Sequence, residues 1–414
     1  MKKDVLILCQ YFYPEYVSSA TLPYDTALKL SQSGYSVDVL TGYPKEYLKE
    51  SRKVQRKEIV NNIIIKRVKY ISLSRKNKFG RLINYFSFTI SILMRLRSLK
   101  KYKYVFVYSN PPLLPYMAYL GNKFYGVQIV FVLYDIYPEM ALLTNSIKNN
   151  SLIHKIMNYI NEKLYSKLTK LVVLSEDMKD FIASNREIDA KKICVIENWY
   201  HEIDSQRNLF NNEIDKFDRL EKDSRFKLVY TGNLGIAQDS DLIIDFIKNN
   251  QNSKNISFVI AGHGNKMNEL KKIEADLTFN NLYIYDFLHD EEYEKLLLLA
   301  DAFVLSLKKE LSGLASPSKL YSYLAAGKPT IAILDSNSHL AQFILSENIG
   351  LISDTNNFSE LTELVLVLQS NKKAYMEMCQ NTINLFNRCY ETDIATNKYV
   401  ELMGNIKEED KDER

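Results

Sequence analysis

The chain has few of the features that commit a protein to stapling, metal or membrane-spanning. Its four cysteines, Cys9, Cys194, Cys379 and Cys389, form no CxxC pair and no metal-like spacing with the five histidines. A disulfide framework and a zinc module are both excluded by that pattern, and free thiols in a reducing compartment are expected. The N-terminus, MKKDVLILCQYFYPE, holds an apolar run of only five residues, too short for a signal peptide. The longest uncharged, mostly apolar stretch is Leu82–Met94, thirteen residues, against roughly twenty needed to span a bilayer. Residues 9–20, CQYFYPEYVSSA, contain no glycine. A nicotinamide site would want GxGxxG there, so a dehydrogenase reading is poor.

Acid is missing from one region. Between Arg52 and Lys103 sixteen Lys or Arg stand against a single acid, Glu58, although the whole chain carries only +4. Nucleic acid is the weakest partner for this strip, because zinc-finger, helix-turn-helix and RRM signatures are absent. Scattered lysines are often only a solvated surface. Here they flank the most apolar stretch of the chain, and apolar insertion combined with basic charge points to an anionic membrane surface.

At 414 residues the chain exceeds what one core usually organises, and two domains are expected. Short apolar strands alternate with amphipathic helices almost throughout, the signature of parallel, doubly wound α/β domains. Residues 1–198 read as a first Rossmann-like domain, with strands predicted at Val5–Cys9, Ser36–Leu40, Val60–Val68, Tyr104–Tyr108, Gln128–Leu133, Leu171–Leu174 and Ile193–Ile196. The pattern fails over 199–224, predicted as the linker, and resumes in a second domain over 225–390. A C-terminal helix over about 391–414 is expected to pack back on the first domain. Ligands of such sheets bind beyond the carboxyl ends of the strands, which directs attention to the loops that follow them.

Three of those loops in the second half present small residues and free amides. Gly232-Asn233-Leu234-Gly235 follows one predicted strand, and Gly262-His263-Gly264 follows the next. Glycines there let backbone N–H groups approach an anion, although a glycine after a strand is most often just a turn. The third loop opens SPSKLYSYLAAGKP, residues 316–329. Ser316 suits an N-cap, Pro317 the first helical position, and Gly327 with Pro329 a stop. That leaves Ser318 and Lys319 at a helix N-terminus, where free amides attract phosphate; the plainer reading is a capped helix with a solvated lysine. In the first half, Asp135-x-x-Pro138-Glu139 follows a strand. These acids either cap a helix or serve as a positioned base.

The order of these segments resembles the family-4 retaining glycosyltransferases of the GT-B fold, over nearly the whole chain. VYTGNLG, FVIAGHG, YDFLHDEEYEKLLLLAD and SPSKLYSYLAAGKP carry the likeness in the second half, and LYDIYPE with KLVVLSEDMKDFI in the first. The pattern is similar to the WbuB-like branch acting on lipid-linked sugars in surface-polysaccharide assembly. The resemblance implies an α/β GT-B architecture, two Rossmann-like domains facing across a cleft. It also implies transfer of a hexose from a nucleotide-diphosphate sugar, UDP-linked, to a lipid-linked saccharide with retention, and no metal or other cofactor. Donor binding falls by resemblance on Gly232, Asn233, Gly235, Gly262, His263, Gly264, Phe287, His289, Ser316, Pro317, Ser318 and Lys319. Catalysis falls on Asp135, Glu139 and Lys319, and Ser18 and Ser19 stand in the N-terminal loop near donor or acceptor.

The chain departs from the family at several charges. Many members carry Glu-x7-Glu ahead of Gly-x-Pro, where this chain has Leu314 and Ser322, with Glu310 out of register. Asn233 and Gln238 stand in the region where Arg and Lys are frequent, and Ser18-Ser19 replaces a glycine pair. Lys319 is then the one obvious cation for a diphosphate among these motifs. Two alternatives follow: a non-hydrolysing nucleotide-sugar epimerase, or a catalytically silent subunit that partners another transferase. The expected location is cytoplasmic, peripheral on the inner face of the cell membrane.

Overall fold

The computed structural model describes residues 2–44, 54–73, 78–204, 215–235, 239–251, 253–276, 279–353 and 358–412. They form two compact units. The first comprises Met1–Asn198, Gly313–Ser316 and Asp393–Arg414; the second comprises Trp199–Ser312 and Pro317–Thr392.

The first unit is an eight-stranded sheet. Its strands are β1 (Lys3–Leu8), β2 (Val37–Gly42), β3 (Lys57–Val60), β4 (Ile63–Val68), β5 (Tyr102–Tyr108), β6 (Gln128–Leu133), β7 (Lys170–Val173) and β8 (Ile193–Val195). Their spatial order is β3-β4-β2-β1-β5-β6-β7-β8, parallel except for β3 against β4. The single strand expected over Val60–Val68 is instead a hairpin. Asn61 and Asn62 take φ values of 49° and 65°, the left-handed pair that a two-residue hairpin turn requires and that asparagine tolerates. Central strands are apolar on both faces, and helices cover both.

Handedness decides which helix covers which face. The β1-to-β2 connection, α1 (Ser18–Gln32), moves across the sheet in one direction. The later connections step the other way through α2 (Lys78–Leu93), α3 (Pro115–Tyr125), α4 (Glu139–Leu143), α5 (Leu152–Tyr165) and α6 (Glu176–Asn185). Right-handed crossovers place α2, α3, α5 and α6 on one face and α1 on the other, and α3 packs on both α2 and α5. The C-terminal helix lies on the α1 face, where Asp393 pairs with Lys29 at 2.5 Å and Tyr399 packs on Phe106 of β5.

The second unit has six parallel strands: β9 (Phe226–Asn233), β10 (Ile256–His263), β11 (Leu282–Tyr285), β12 (Ala302–Ser306), β13 (Thr330–Ile333) and β14 (Gly350–Ser353). Their order is β11-β10-β9-β12-β13-β14. Alternate side chains feed two cores. Val229, Val259, Phe303 and Ala332 join one, and Leu228, Tyr230, Phe258, Ile260 and Ile331 join the other. The helices are α7 (Asp218–Glu221), α8 (Ser240–Asn249), α9 (Met267–Asp276), α10 (Asp290–Leu299), α11 (Lys319–Ala325), α12 (His339–Ser346), α13 (Phe358–Ser370), α14 (Lys372–Leu385) and α15 (Thr392–Asp412), the last entering the first unit. The described part of the stretch expected as a linker is built into this unit, with Ile203, Phe217 and Leu220 buried in its core.

Candidate functional site

In the second unit the site grows from four adjacent strand ends. β9 and β10 pair as far as Gly232 against Gly262 and Asn233 against His263, so both glycine motifs begin inside the sheet rather than in loops. Gly262 has φ of 147°, and a Cβ there would lie 2.0 Å from the Gly232 carbonyl oxygen. Gly264 would place its Cβ 2.2 Å from the Leu234 carbonyl. Both glycines let two main chains touch, a structural need that stands beside the expected opening of the backbone to a ligand. Gly232, at φ 99°, differs, because its missing Cβ faces the Cε and Nζ of Lys319 at 3.7 Å. Gly235 lies in the turn beyond β9, where its carbonyl accepts from the Ser240 hydroxyl.

Lys319 is the first residue of α11. The cap expected of Ser316 is not made. The position before the helix is Ser318, already helical at φ −58° and ψ −23°, and no side chain caps the end. Ser316 clusters with the first unit, Pro317 through Lys319 with the second. The Lys319 stem folds back so that Nζ sits 3.8 Å from the centroid of the Tyr230 ring. Nζ is buried and has no hydrogen-bond partner among the described residues. Burial pulls its pKa from 10.5 down to about 7, because a desolvated ammonium without a counter-anion is costly. The aromatic face supplies part of the missing stabilisation, and Tyr230 is fixed by its hydroxyl donating to the Asn233 carbonyl at 2.8 Å.

Beyond β10 and β11 stand three rings in sequence. His263 lies 5.6 Å from Phe287, and Phe287 lies 5.0 Å from His289. Burial lowers the pKa of His263, which favours its neutral form. Tyr230, Tyr293 and Tyr323 carry no signal in the sequence that marks them as site residues. The Tyr293 hydroxyl bonds to Ser322 at 2.9 Å and to Thr231 at 3.1 Å, and Thr231 bonds in turn to Tyr323 at 3.1 Å. Ser322 is therefore enclosed in a neutral hydroxyl chain beneath the strand ends. The partners are separated by 62 and 92 residues, so no local pattern could have shown them.

The first unit presents its carboxylates at the ends of β5 and β6. The Ser109 hydroxyl accepts from the backbone N–H groups of Tyr134 and Asp135 at 3.0 and 3.4 Å. Burial raises the Asp135 carboxyl to a pKa of about 6. Glu139 opens α4, with Pro138 before it and no side-chain cap, and its carboxylate is held by Arg186. Glu139 is the acid in the first turn of α4, as the helix-end reading expects, and of the two acids it alone has a cation partner among the described residues. The Ile136 N–H donates to the Leu314 carbonyl at 3.0 Å, within the same unit. Ser18 and Ser19 form the first turn of α1 after Val17. Gln238 and the basic residues Arg75 and Lys76 lie outside the described residues. Among the described residues no group of three or more His, Cys, Asp or Glu could hold a metal ion, and no helix is long and apolar enough to cross a membrane.

Two family models match. "Glycosyltransferase Family 4" covers residues 20–201, and "Glycosyl transferases group 1" covers 211–385. By its two domains the chain is a glycosyltransferase of the GT-B fold. A similar curated protein is "Probable glycosyltransferase WbjE" of Pseudomonas aeruginosa, 24% identical over 62% of this chain and 64% of its own length. Among solved structures, Anabaena Alr3699/HepE in complex with UDP superposes with a TM-score of 0.68 at 13% identity, covering 97% of this chain and 100% of that one. WaaG, a glycosyltransferase involved in lipopolysaccharide biosynthesis, reaches 0.63 at 13% identity, covering 95% and 98%. At such identities these structures speak for the fold.

Proposed function

We propose that this transferase moves a hexose or modified hexose from a nucleotide-diphosphate sugar, UDP-linked, to a lipid-linked saccharide, as in the WbuB-like branch, with retention and without a metal. One observation carries the donor side: Lys319, a buried amine with no hydrogen-bond partner among the described residues, poised beside Gly232 at the strand ends. In transfer the bond from the anomeric carbon to the diphosphate oxygen breaks as the acceptor oxygen bonds to that carbon, and negative charge gathers on the departing diphosphate. Lys319, swung off the Tyr230 ring on its flexible stem, would neutralise that charge. The rings of His263, Phe287 and His289 would bound the donor, with Asn233 and Ser318 as polar contacts. Asp135, ionised above about pH 6, would orient or deprotonate the acceptor hydroxyl, while Glu139 with Arg186 holds the loop beneath it. The HepE structure, solved with UDP, supports the choice of nucleotide.

The membrane side of the reading rests on α2. Its inner positions, Asn84, Phe88 and Ile92, are buried, whereas Leu82, Phe86, Ile90, Leu93 and Met94 are exposed at helical spacing. Charge in this part of the chain is almost wholly basic. Such a helix suits the surface of an anionic membrane, the cytoplasmic face of the cell membrane.

Titration calorimetry with UDP and a panel of nucleotide sugars in EDTA tests the donor side. Binding should persist in EDTA and weaken in Lys319→Ala but not in Lys328→Ala. Equal binding by both variants would remove the diphosphate from Lys319. Isomerisation of donor alone would favour the epimerase. Flotation with anionic liposomes, weaker at high salt, tests the membrane side.

A further inference from the structure

The α2 stripe is not the only unpartnered apolar surface on its face of the sheet. Along α5, Leu152 is 74% exposed, Ile153 40% and Ile156 44%, and Tyr159 joins them. These positions recur at helical spacing and form one outward stripe, while Met157, Ile160 and Leu164 fill the inner side. Lys148, Lys155, Lys163 and Lys167 are exposed around the stripe, with Glu162 the exposed acid on that helix. Lys163 lies 5.5 Å from the Tyr159 ring centroid, a basic head resting beside an aromatic. The opposite helical layer of this unit shows nothing comparable: α1 exposes no large apolar side chain, and α15 exposes Ile394.

We propose that the N-terminal half of α5 is a second contact with an anionic bilayer, separate from α2; the inference rests on the membrane reading above. Both helices belong to the layer set by right-handed crossovers, with α3 between them. The charge around the stripe complements anionic headgroups, which selects a lipid surface over an apolar protein partner. Position adds the functional point. A crossover helix runs antiparallel to its strands, so the first turns of α5 lie at the edge where β5 and β6 end. Ser109 and Asp135 stand at that edge. Asn161 of α5 also donates to the Tyr137 carbonyl at 2.6 Å, tying the helix to the Asp135–Glu139 segment. Two contacts fix an orientation that one helix leaves free to rotate. Docking through α5 seats the Asp135 edge against headgroups, from which a lipid-linked saccharide would rise.

The test uses the full chain and vesicles of phosphatidylglycerol and phosphatidylcholine, with brominated acyl chains as quencher. The single native tryptophan, Trp199, is buried, so Ile153→Trp and Phe86→Trp report locally. Both should be quenched. Leu152→Asp with Ile156→Asp should lower the partition coefficient about tenfold, the loss of two partly inserted aliphatic side chains, with Tm unchanged because both are exposed. Quenching at Phe86→Trp but not at Ile153→Trp would overturn the α5 contact and leave the membrane reading standing. Quenching at neither would overturn both. A lipid-free dimer that the Asp variants dissociate would show that a second copy, not lipid, covers the stripe.

Discussion

The first unit leaves apolar side chains of α2 and α5 in solvent and keeps much of its left-handed backbone on exposed turns, as at Asn61 and Asn62. The second unit exposes Leu345, Leu366, Val367 and Met376 too, and differs in what it buries. It seals a lysine amine against an aromatic ring and packs Gly262 and Gly264 against neighbouring carbonyls. Each unit therefore carries unfavourable groups of its own kind, and folding stability alone explains neither set. Exposed apolar stripes are tolerated where something outside the chain covers them. A buried amine with no partner is tolerated where a charged ligand supplies the counter-charge. The contrast separates a surface-seeking unit from an anion-seeking one.

The largest effect is expected at the backbone. Gly262→Ala forces a Cβ to within 2.0 Å of a carbonyl oxygen and should destabilise by about 4 kcal/mol or more, enough to lose folded protein. The counterpart in the first unit is Gly34, with φ of 87° but nothing within 4 Å of an added Cβ. Gly34→Ala should cost only the left-handed strain, about 1 kcal/mol. Urea midpoints compare the two, and equal shifts would erase the difference in packing.

The second effect belongs to the first unit's acid. Asp135→Asn should lower turnover about a hundredfold, the lower bound for a positioned base, while UDP affinity holds. The acid limb of the kcat/KM profile near pH 6 should vanish with it. The sign for stability is opposite. A carboxyl raised from 3.8 to about 6 keeps its proton longer when folded, so stability falls as pH rises through that window. Asn removes the penalty, and the variant should melt higher at pH 7. Wild-type turnover in Asp135→Asn would reduce the acid to a structural role.

Lys319→Met follows, at about 10–150-fold in kcat/KM, the worth of one hydrogen bond to a charged group. Here too function and stability should part. The amine falls from 10.5 unfolded to about 7 folded, so between those values the unfolded chain binds more protons and wild-type stability rises with pH. Met abolishes that slope, and each kcal/mol of relieved desolvation should raise Tm by about 2–4 °C. Donor affinity in the wild type should weaken as pH climbs above about 7, with a proton taken up on binding at pH 8. Calorimetry in buffers of different ionisation enthalpy reads that proton directly. Binding without proton uptake would mean that another group meets the diphosphate.

Much of the fold is legible in the chain, for a physical reason. Strands buried on both faces must be apolar runs, so the apolar runs Gln128–Leu133 and Leu282–Tyr285 coincide with β6 and β11. Lys319 stands out because a lysine beside prolines and small residues at a strand end has few structural uses. Tyr230 does not, because an aromatic inside an apolar strand looks like core. Its ring is core and also a platform, and only the fold of α11 reveals the second role. The glycine motifs are legible only in part. A glycine needed by a neighbouring main chain and one needed by a ligand have the same letter, and strand register decides between them.

The smallest expected effect sharpens the comparison from the first unit's side. Asn61 and Asn62 form the two-residue turn between β3 and β4, both exposed and both left-handed. The Asn61 side chain is occupied, donating to the Tyr24 hydroxyl at 2.8 Å, so Asn62 is the position free to change. Its φ of 65° suits glycine, and Asn-Gly is the favoured pair for this turn. Asn62→Gly relieves the left-handed strain but adds freedom to the unfolded chain, and the two terms nearly cancel. The net gain should be about 0.5 kcal/mol or less, read as a slightly higher urea midpoint with unchanged slope. Liposome binding and donor affinity should stay at wild-type values, since the turn holds neither the apolar stripes nor the strand ends around Lys319. A loss of about 1 kcal/mol or more would show that the Asn62 side chain holds the turn, and the first unit's irregular backbone would then be as tightly constrained as the second's.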